Sequence, residues 1–163
     1  MYHTQRKEHV RIKEPIKCTK DNAWLGDATY FWYSEQDAVF WGRTAKRKTG
    51  YYEVYRAEID FENVLDTVFN EEHYLLWVKN IEKAIKHFVK RLKPGKTTLK
   101  NINDFFKAKN VYQGIDGVMF QDITDNPDYW VVDEFQYKKR IQLAVYDSMI
   151  ISSFEFSFEG KCV

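Results

Sequence analysis

A chain of 163 residues with 44% hydrophobic and 30% charged residues can bury a core and is too apolar for a disordered tail. Its 25 Lys and Arg against 24 Asp and Glu leave a net charge of +1, which argues against a wholesale nucleic-acid binder while allowing local basic patches. No apolar stretch approaches about 18 residues, so no membrane-spanning helix is expected; residues 1–20 lack the apolar core of a secretory signal, and Cys18 and Cys162, in no metal or CxxC spacing, read as thiols of a reducing cytoplasm.

In chain order, Tyr2 and His3 begin a short strand. Residues 5–22 mix charges, pass through Pro15 and read as a short amphipathic or irregular stretch. Residues 27–32 form a strand bounded by Gly26. Ser34 then caps a helix, with Asp37 at the third position in a variant of the capping box. Ala38, Phe40, Trp41 and Ala45 give that helix its apolar face, and a basic run at 43–48 with Gly50 ends it. Residues 51–60 alternate and are rich in Tyr and Val, a strand pattern. Residues 63–67 suggest a short helix. The clearest helix spans 70–92, where Tyr74, Val78, Ile81, Ile85, Phe88 and Leu92 recur at three- and four-residue spacing until Pro94-Gly95.

Thr97 or Thr98 caps another helix, with Leu99, Ile102, Phe105 and Phe106 facing inward. These two helices read as an insertion of about 70–109 within a single domain over 1–163. The last third returns to strands at 117–120, 129–132, 141–146 and 152–158. In the last of these, Phe154, Phe156 and Phe158 alternate with Glu155 and Ser157. Asn126-Pro127-Asp128 marks a turn. Five Trp, 11 Tyr and 12 Phe supply either a rich aromatic core or a cleft that stacks on flat ligands.

Two segments invite a chemical reading. Tyr2-His3-Thr4 offers an imidazole at the start of a strand. Trp24-Leu25-Gly26-Asp27-Ala28-Thr29-Tyr30-Phe31-Trp32 offers a glycine and, four residues on, a tyrosine in an aromatic run. The pairing makes sense if one ligand touches both His3 and Tyr30. Together with Gln142-Leu143-Ala144-Val145-Tyr146-Asp147 and Gly114-Ile115-Asp116-Gly117-Val118, these segments resemble the diphtheria-toxin and poly(ADP-ribose)-polymerase branch of the ADP-ribosyltransferases. The resemblance rests on the family's Tyr-His-Gly-Thr motif (here without its Gly), its Gly-x-Gly-x-Tyr-Phe motif (here with Ala28 for the second Gly), and a late strand opened by an acidic or amide residue, here Gln142.

That resemblance implies an α+β fold of two packed, mainly antiparallel sheets with a helical insertion. It implies NAD as substrate, gripped by Tyr2, His3, Thr4, Gly26, Tyr30 and Tyr33, and a triad of His3, Tyr30 and Gln142. His3 would hydrogen-bond the ribose, Tyr30 would stack on the nicotinamide with Tyr33 closing the other side, and Gln142 would orient the ribose or the acceptor. Breaking the nicotinamide–ribose bond develops positive charge at the anomeric carbon. A carboxylate about 4 Å away is worth about 4 kcal/mol at an effective dielectric near 20, or about three decades in rate. With Gln142 in that place, the resemblance implies reliance on positioning or a borrowed carboxylate such as Glu134.

The implied activity is transfer of ADP-ribose to a macromolecular acceptor, nucleic acid or protein, by a toxin or defence effector with a possible antitoxin protein. A non-catalytic nucleotide- or partner-binding module on the same fold, or an NAD glycohydrolase, are the alternatives. Structural roles stand beside each residue: His3 as a surface histidine, Tyr30 as a strand aromatic, Gln142 as a solvated strand residue. His73 and His87 lack a second ligand at i+4, so no metal is expected. Basic runs at 43–48, 83–100 and 138–140 read as solvated faces, or as phosphate contacts if two of them flank the cleft.

Overall fold

Strand β1 (Tyr2–Arg6) lies between β2 (Thr29–Trp32) and β3 (Tyr51–Ile59), both antiparallel to it. The computed structural model describes every residue except 22, 46–49, 90–96, 124–129, 133, 134 and 137. Helix α1 (Glu35–Ala45) joins β2 to β3; the Ser34 hydroxyl accepts the Gln36 N–H at 3.1 Å, and Glu35 and Asp37 sit in the first turn, where the helix dipole favours acid. Strand β4 (Val64–Asp66) precedes helices α2 (Glu71–Val89) and α3 (Leu99–Ala108). The chain then forms β5 (Gly117–Asp122), β6 (Trp130–Val132), β7 (Phe135–Gln136), β8 (Arg140–Val145) and β9 (Ile151–Lys161).

The fold is α+β, with a mixed seven-stranded sheet in the order β4-β5-β8-β2-β1-β3-β9 and a separate β6-β7 pair. Only the β4–β5 pairing is parallel among those described. Where two packed, mainly antiparallel sheets are expected, the pairing is mainly antiparallel, and seven strands run in one hydrogen-bonded ladder with β6-β7 apart from it. It is narrow at one place: β1 and β2 share the single residue pair Tyr2–Trp32, whereas β1 pairs with β3 along its whole length.

Side chains alternate between the faces of a strand. One face carries Phe31, Ala57, Met119, Ile141, Leu143 and Val145. The other is covered twice. Helix α1 packs over Trp32, Tyr52 and Val54, and Leu99, Tyr112 and Ile115 from the helical insertion and its exit pack against Leu25, Val118, Phe120 and Ala144.

The expected helix at 63–67 is instead β4. Its pairing of Val64, Leu65 and Asp66 with Gly117, Val118 and Met119 is a long-range contact that local propensity does not encode. Thr98 caps α3 with a full capping box through Asn101. On α2 the apolar stripe is partly covered: Ala84 is buried, Val78 and Ile81 are half-buried, and Tyr74 and Ile85 are exposed. Pro94-Gly95 and Asn126-Pro127-Asp128 lie outside the described residues.

The alternating phenylalanines of β9 do not share a face. The register slips between Val54 and Tyr55, so Phe156 meets Tyr55 while Phe158 pairs with Val54 and joins the cluster under α1. A bulge that adds one residue to one strand flips every side chain beyond it.

Candidate functional site

The three motif strands sit side by side at the centre of the sheet, in the order β8-β2-β1. Tyr2 pairs with Trp32, and Trp32 pairs with Gln142, so these three residues form a row across three strands. His3 belongs to the adjacent row. Its ring lies 5.6 Å from the Phe31 ring and 5.9 Å from that of Phe154, on the Phe31 face. Tyr30, next to Phe31, points the other way, into the cluster of Leu25, Ala28, Phe120 and Ala144. The structure thus brings the motif backbones together but places the His3 ring on one face and the Tyr30 and Gln142 side chains on the other.

His3 is 6% exposed, so it is no surface histidine. Its Nδ1 lies 2.9 Å from the Tyr30 carbonyl oxygen. A carbonyl only accepts, so Nδ1 carries the proton and, in the neutral ring, Nε2 is the acceptor nitrogen. The ring thereby satisfies a strand carbonyl where the β1–β2 ladder runs out.

Tyr30 is held locally. Its hydroxyl donates to the Gly26 carbonyl at 2.8 Å and accepts the Leu25 N–H at 3.0 Å, closing the tight turn that precedes β2. Gly26 has φ +76°, the left-handed region that favours glycine. The two places where the family's motif glycines are missing show no such demand: neither Thr4 nor Ala28 has a positive φ. Thr4 donates its hydroxyl to the Ala38 carbonyl at 3.0 Å, tying α1 to β1, and Ala28 bridges Cys18. Tyr33 is exposed and lies 5.8 Å from the Phe69 ring.

Gln142 is half-buried and donates through Nε2 to Asp122 Oδ2 at 2.8 Å. Arg140 stands beside it, with Nε 3.2 Å from the same oxygen. Its N–H is not aimed along a hydrogen bond, so the pair is Coulombic. The guanidinium stacks over Trp32 at 4.6 Å and Phe40 at 5.7 Å. Asp37 of α1 completes the group. Burial pushes Asp37 up to about 6, with Arg140 pulling it down and Asp122 pushing it up. Burial also raises Asp122, against the lowering pull of Arg140 and the Gln142 hydrogen bond.

Asp37, Asp122 and Arg140 were not legible as a group. Arg140 reads in sequence as the end of a solvated basic run, yet it is 6% exposed, because its β8 position faces Trp32 rather than water. Other basic residues are also engaged: Lys107 donates to the Asp27 carbonyl at 2.8 Å, and Lys100 pairs with Asp104 at 3.0 Å. Residues 46–48 and Glu134 lie outside the described residues.

Two surface depressions accompany this core. One, of about 820 Å³, is lined by Glu35, Arg43, Tyr52 and Phe158 among others. The other, of about 520 Å³, is lined by Phe69, Tyr74, Trp77, Gln121 and Lys139 among others. Neither contains His3, Tyr30 or Gln142; the lining of the second includes Phe69, the ring partner of Tyr33.

Among the described residues no group of three or more His, Cys, Asp or Glu is placed to hold a metal, and no helix is long and apolar enough to cross a membrane. No family model matches the chain, nor does any curated protein or solved structure.

Proposed function

We propose that the chain is an NAD-dependent ADP-ribosyltransferase that modifies a macromolecular acceptor. The observation that carries this reading is the adjacency of β1, β2 and β8, with the ladder between β1 and β2 reduced to one pair beside His3. The tautomer of His3 supports it further. With Nδ1–H held by the Tyr30 carbonyl, Nε2 is fixed as an acceptor, the form that receives a ribose hydroxyl proton in a hydrogen bond.

The face assignments set the division of labour. His3 and Tyr33 serve the ligand, with the Tyr33–Phe69 pair as the aromatic platform. Access of a ligand to Nε2 requires displacement of the Phe154 ring, whose centre lies 5.9 Å from that of His3. Tyr30 holds the Gly26 turn. Gln142 acts through Asp122 and Arg140 as a positioning residue. NAD supplies the ADP-ribose, and the acceptor supplies the nucleophile.

Titration with NAD, followed by tryptophan fluorescence, tests the binding half of this reading. Saturable binding, weakened tenfold or more by His3→Ala and by Tyr33→Ala, is expected. Absence of binding up to about 1 mM, the upper end of ordinary substrate constants, rejects it. A binding module without chemistry is the second reading. It is favoured because the Tyr30 and Thr4 hydroxyls and the Gln142 amide are all spent on internal hydrogen bonds. It predicts binding with no turnover.

A further inference from the structure

On the Phe31 face, beyond His3, lies a polar group that the proposed chemistry does not use. Gln5 of β1 pairs directly with Glu53 of β3, and His3 pairs with Tyr55. Gln5, Glu53 and Tyr55 are 5%, 1% and 1% exposed. The Tyr55 hydroxyl donates to Glu53 Oε2 at 2.7 Å. Burial first, and the neighbouring carboxylate second, push that hydroxyl up to about 12, so it stays a donor. Glu53 Oε1 faces Arg11 Nε at 3.9 Å, an ion-pair distance too long for a hydrogen bond. Neither polar atom of the buried Gln5 amide has a hydrogen-bond partner among the described residues.

A buried carboxylate and a buried, unpartnered amide side by side are costly unless something supplies donors and acceptors. The only cation within ion-pair reach of Glu53 among the described residues is Arg11. Its guanidinium carbon lies 3.6 Å from the centre of the Phe156 ring, and Phe156 meets Tyr55 edge-on, while Tyr55 stacks on Phe154 at 4.7 Å. The Arg11 side chain is 59% exposed and belongs to an irregular segment between β1 and the Cys18 bridge. A flat cation thus stacks closely on the Phe156 ring at the mouth of a buried carboxylate, at ion-pair distance from Glu53 but with no hydrogen bond to it.

We propose that Gln5, Glu53, Tyr55 and Phe156 form a binding site for the guanidinium of an arginine side chain on a partner protein, and that Arg11 is its internal occupant. A planar guanidinium stacks on Phe156 while its in-plane N–H groups reach the Glu53 carboxylate and the Gln5 carbonyl oxygen. A lysine ammonium lacks that flat geometry. Displacing Arg11 exposes the site to the partner, so the segment acts as a competitor in cis. The proposal does not rest on the NAD reading, and its test contains no NAD.

The probe is Nα-acetyl-argininamide, with Nα-acetyl-lysinamide as control, titrated into the full chain by NMR. Arg11→Ala should bind the arginine compound at least tenfold more tightly than the unmodified chain does, and at least tenfold more tightly than it binds the lysine compound. Adding Glu53→Gln or Phe156→Leu to Arg11→Ala should weaken that binding tenfold or more. Circular dichroism checks the fold of each variant. Phe156 is only half-buried, so its arm decides the outcome if Glu53→Gln unfolds. Equal affinity of Arg11→Ala and the unmodified chain, no preference for arginine over lysine, or undiminished binding in the folded double variant overturns the site.

Discussion

Replacing Arg140 by Met isolates the electrostatic core of the candidate site. Arg140 and Asp122 are both under a tenth exposed, with Nε and Oδ2 3.2 Å apart. At that distance the gross attraction is about 5 kcal/mol at an effective dielectric near 20. Met keeps much of the stem that packs on Trp32 and Phe40, so the loss is mainly that of charge. Stranding a buried carboxylate typically costs about 3–5 kcal/mol, or roughly 10 °C in Tm for a chain of this size.

The loss depends on pH with a definite sign. Burial already raises Asp122, and Arg140 is the main influence pulling it back. Without Arg140, Asp122 takes up a proton more readily, so Arg140→Met is destabilising most strongly at pH 8 and less so at pH 5. Adding Asp122→Asn should recover about 2 kcal/mol or more at pH 8, measured by urea unfolding in a double-mutant cycle. A loss under about 1 kcal/mol, equal at both pH values and unaltered by Asp122→Asn, refutes the reasoning.

Asp37 has a folded pKa raised from 3.8 to about 6, so the chain loses stability as pH climbs through that window; urea unfolding of Asp37→Asn between pH 4 and 8 should show a shallower slope, and an unchanged slope contradicts the assignment. Gly42→Ala places a Cβ 2.3 Å from the Tyr52 ring, and the overpacking, about 1–3 kcal/mol, should outweigh the roughly 1 kcal/mol gain in helix propensity; a higher Tm contradicts this. Tyr30→Phe strands the Leu25 N–H and the Gly26 carbonyl and should lower stability by about 1–3 kcal/mol; a neutral thermal melt would show that the hydroxyl is not holding the turn.

The elements were legible wherever the pattern was local. The 51–60 alternation became β3, the stripe from Tyr74 gave α2, and Thr98 capped α3 as its spacing suggests. What failed depends on partners distant in sequence. Residues 63–67 became a strand because β5 was there to pair with, and Phe158 left the face of Phe156 because β3 and β9 slip by one residue.

The candidate site divides the same way. The motifs place His3, Tyr30 and Gln142 on adjacent strands, but which face each side chain takes follows from register, and register is absent from a single sequence. The buried polar group had no signal of its own in the sequence: Gln5 and Glu53 are buried in strands whose charged residues Arg6, Arg56 and Glu58 are exposed. Sequence reading treats such positions as solvated, because it cannot see Arg11, distant from Glu53 in sequence, lying beside that carboxylate and over the Phe156 ring.

The most direct test of the central claim is incubation of the purified chain with labelled NAD and cell lysate, followed by separate protease and nuclease digestion. The account predicts label in a macromolecule that one of the two digestions releases, and its loss with His3→Ala in a variant whose melt is unchanged. Label appearing only as free ADP-ribose, or no consumption of NAD at all, would contradict it.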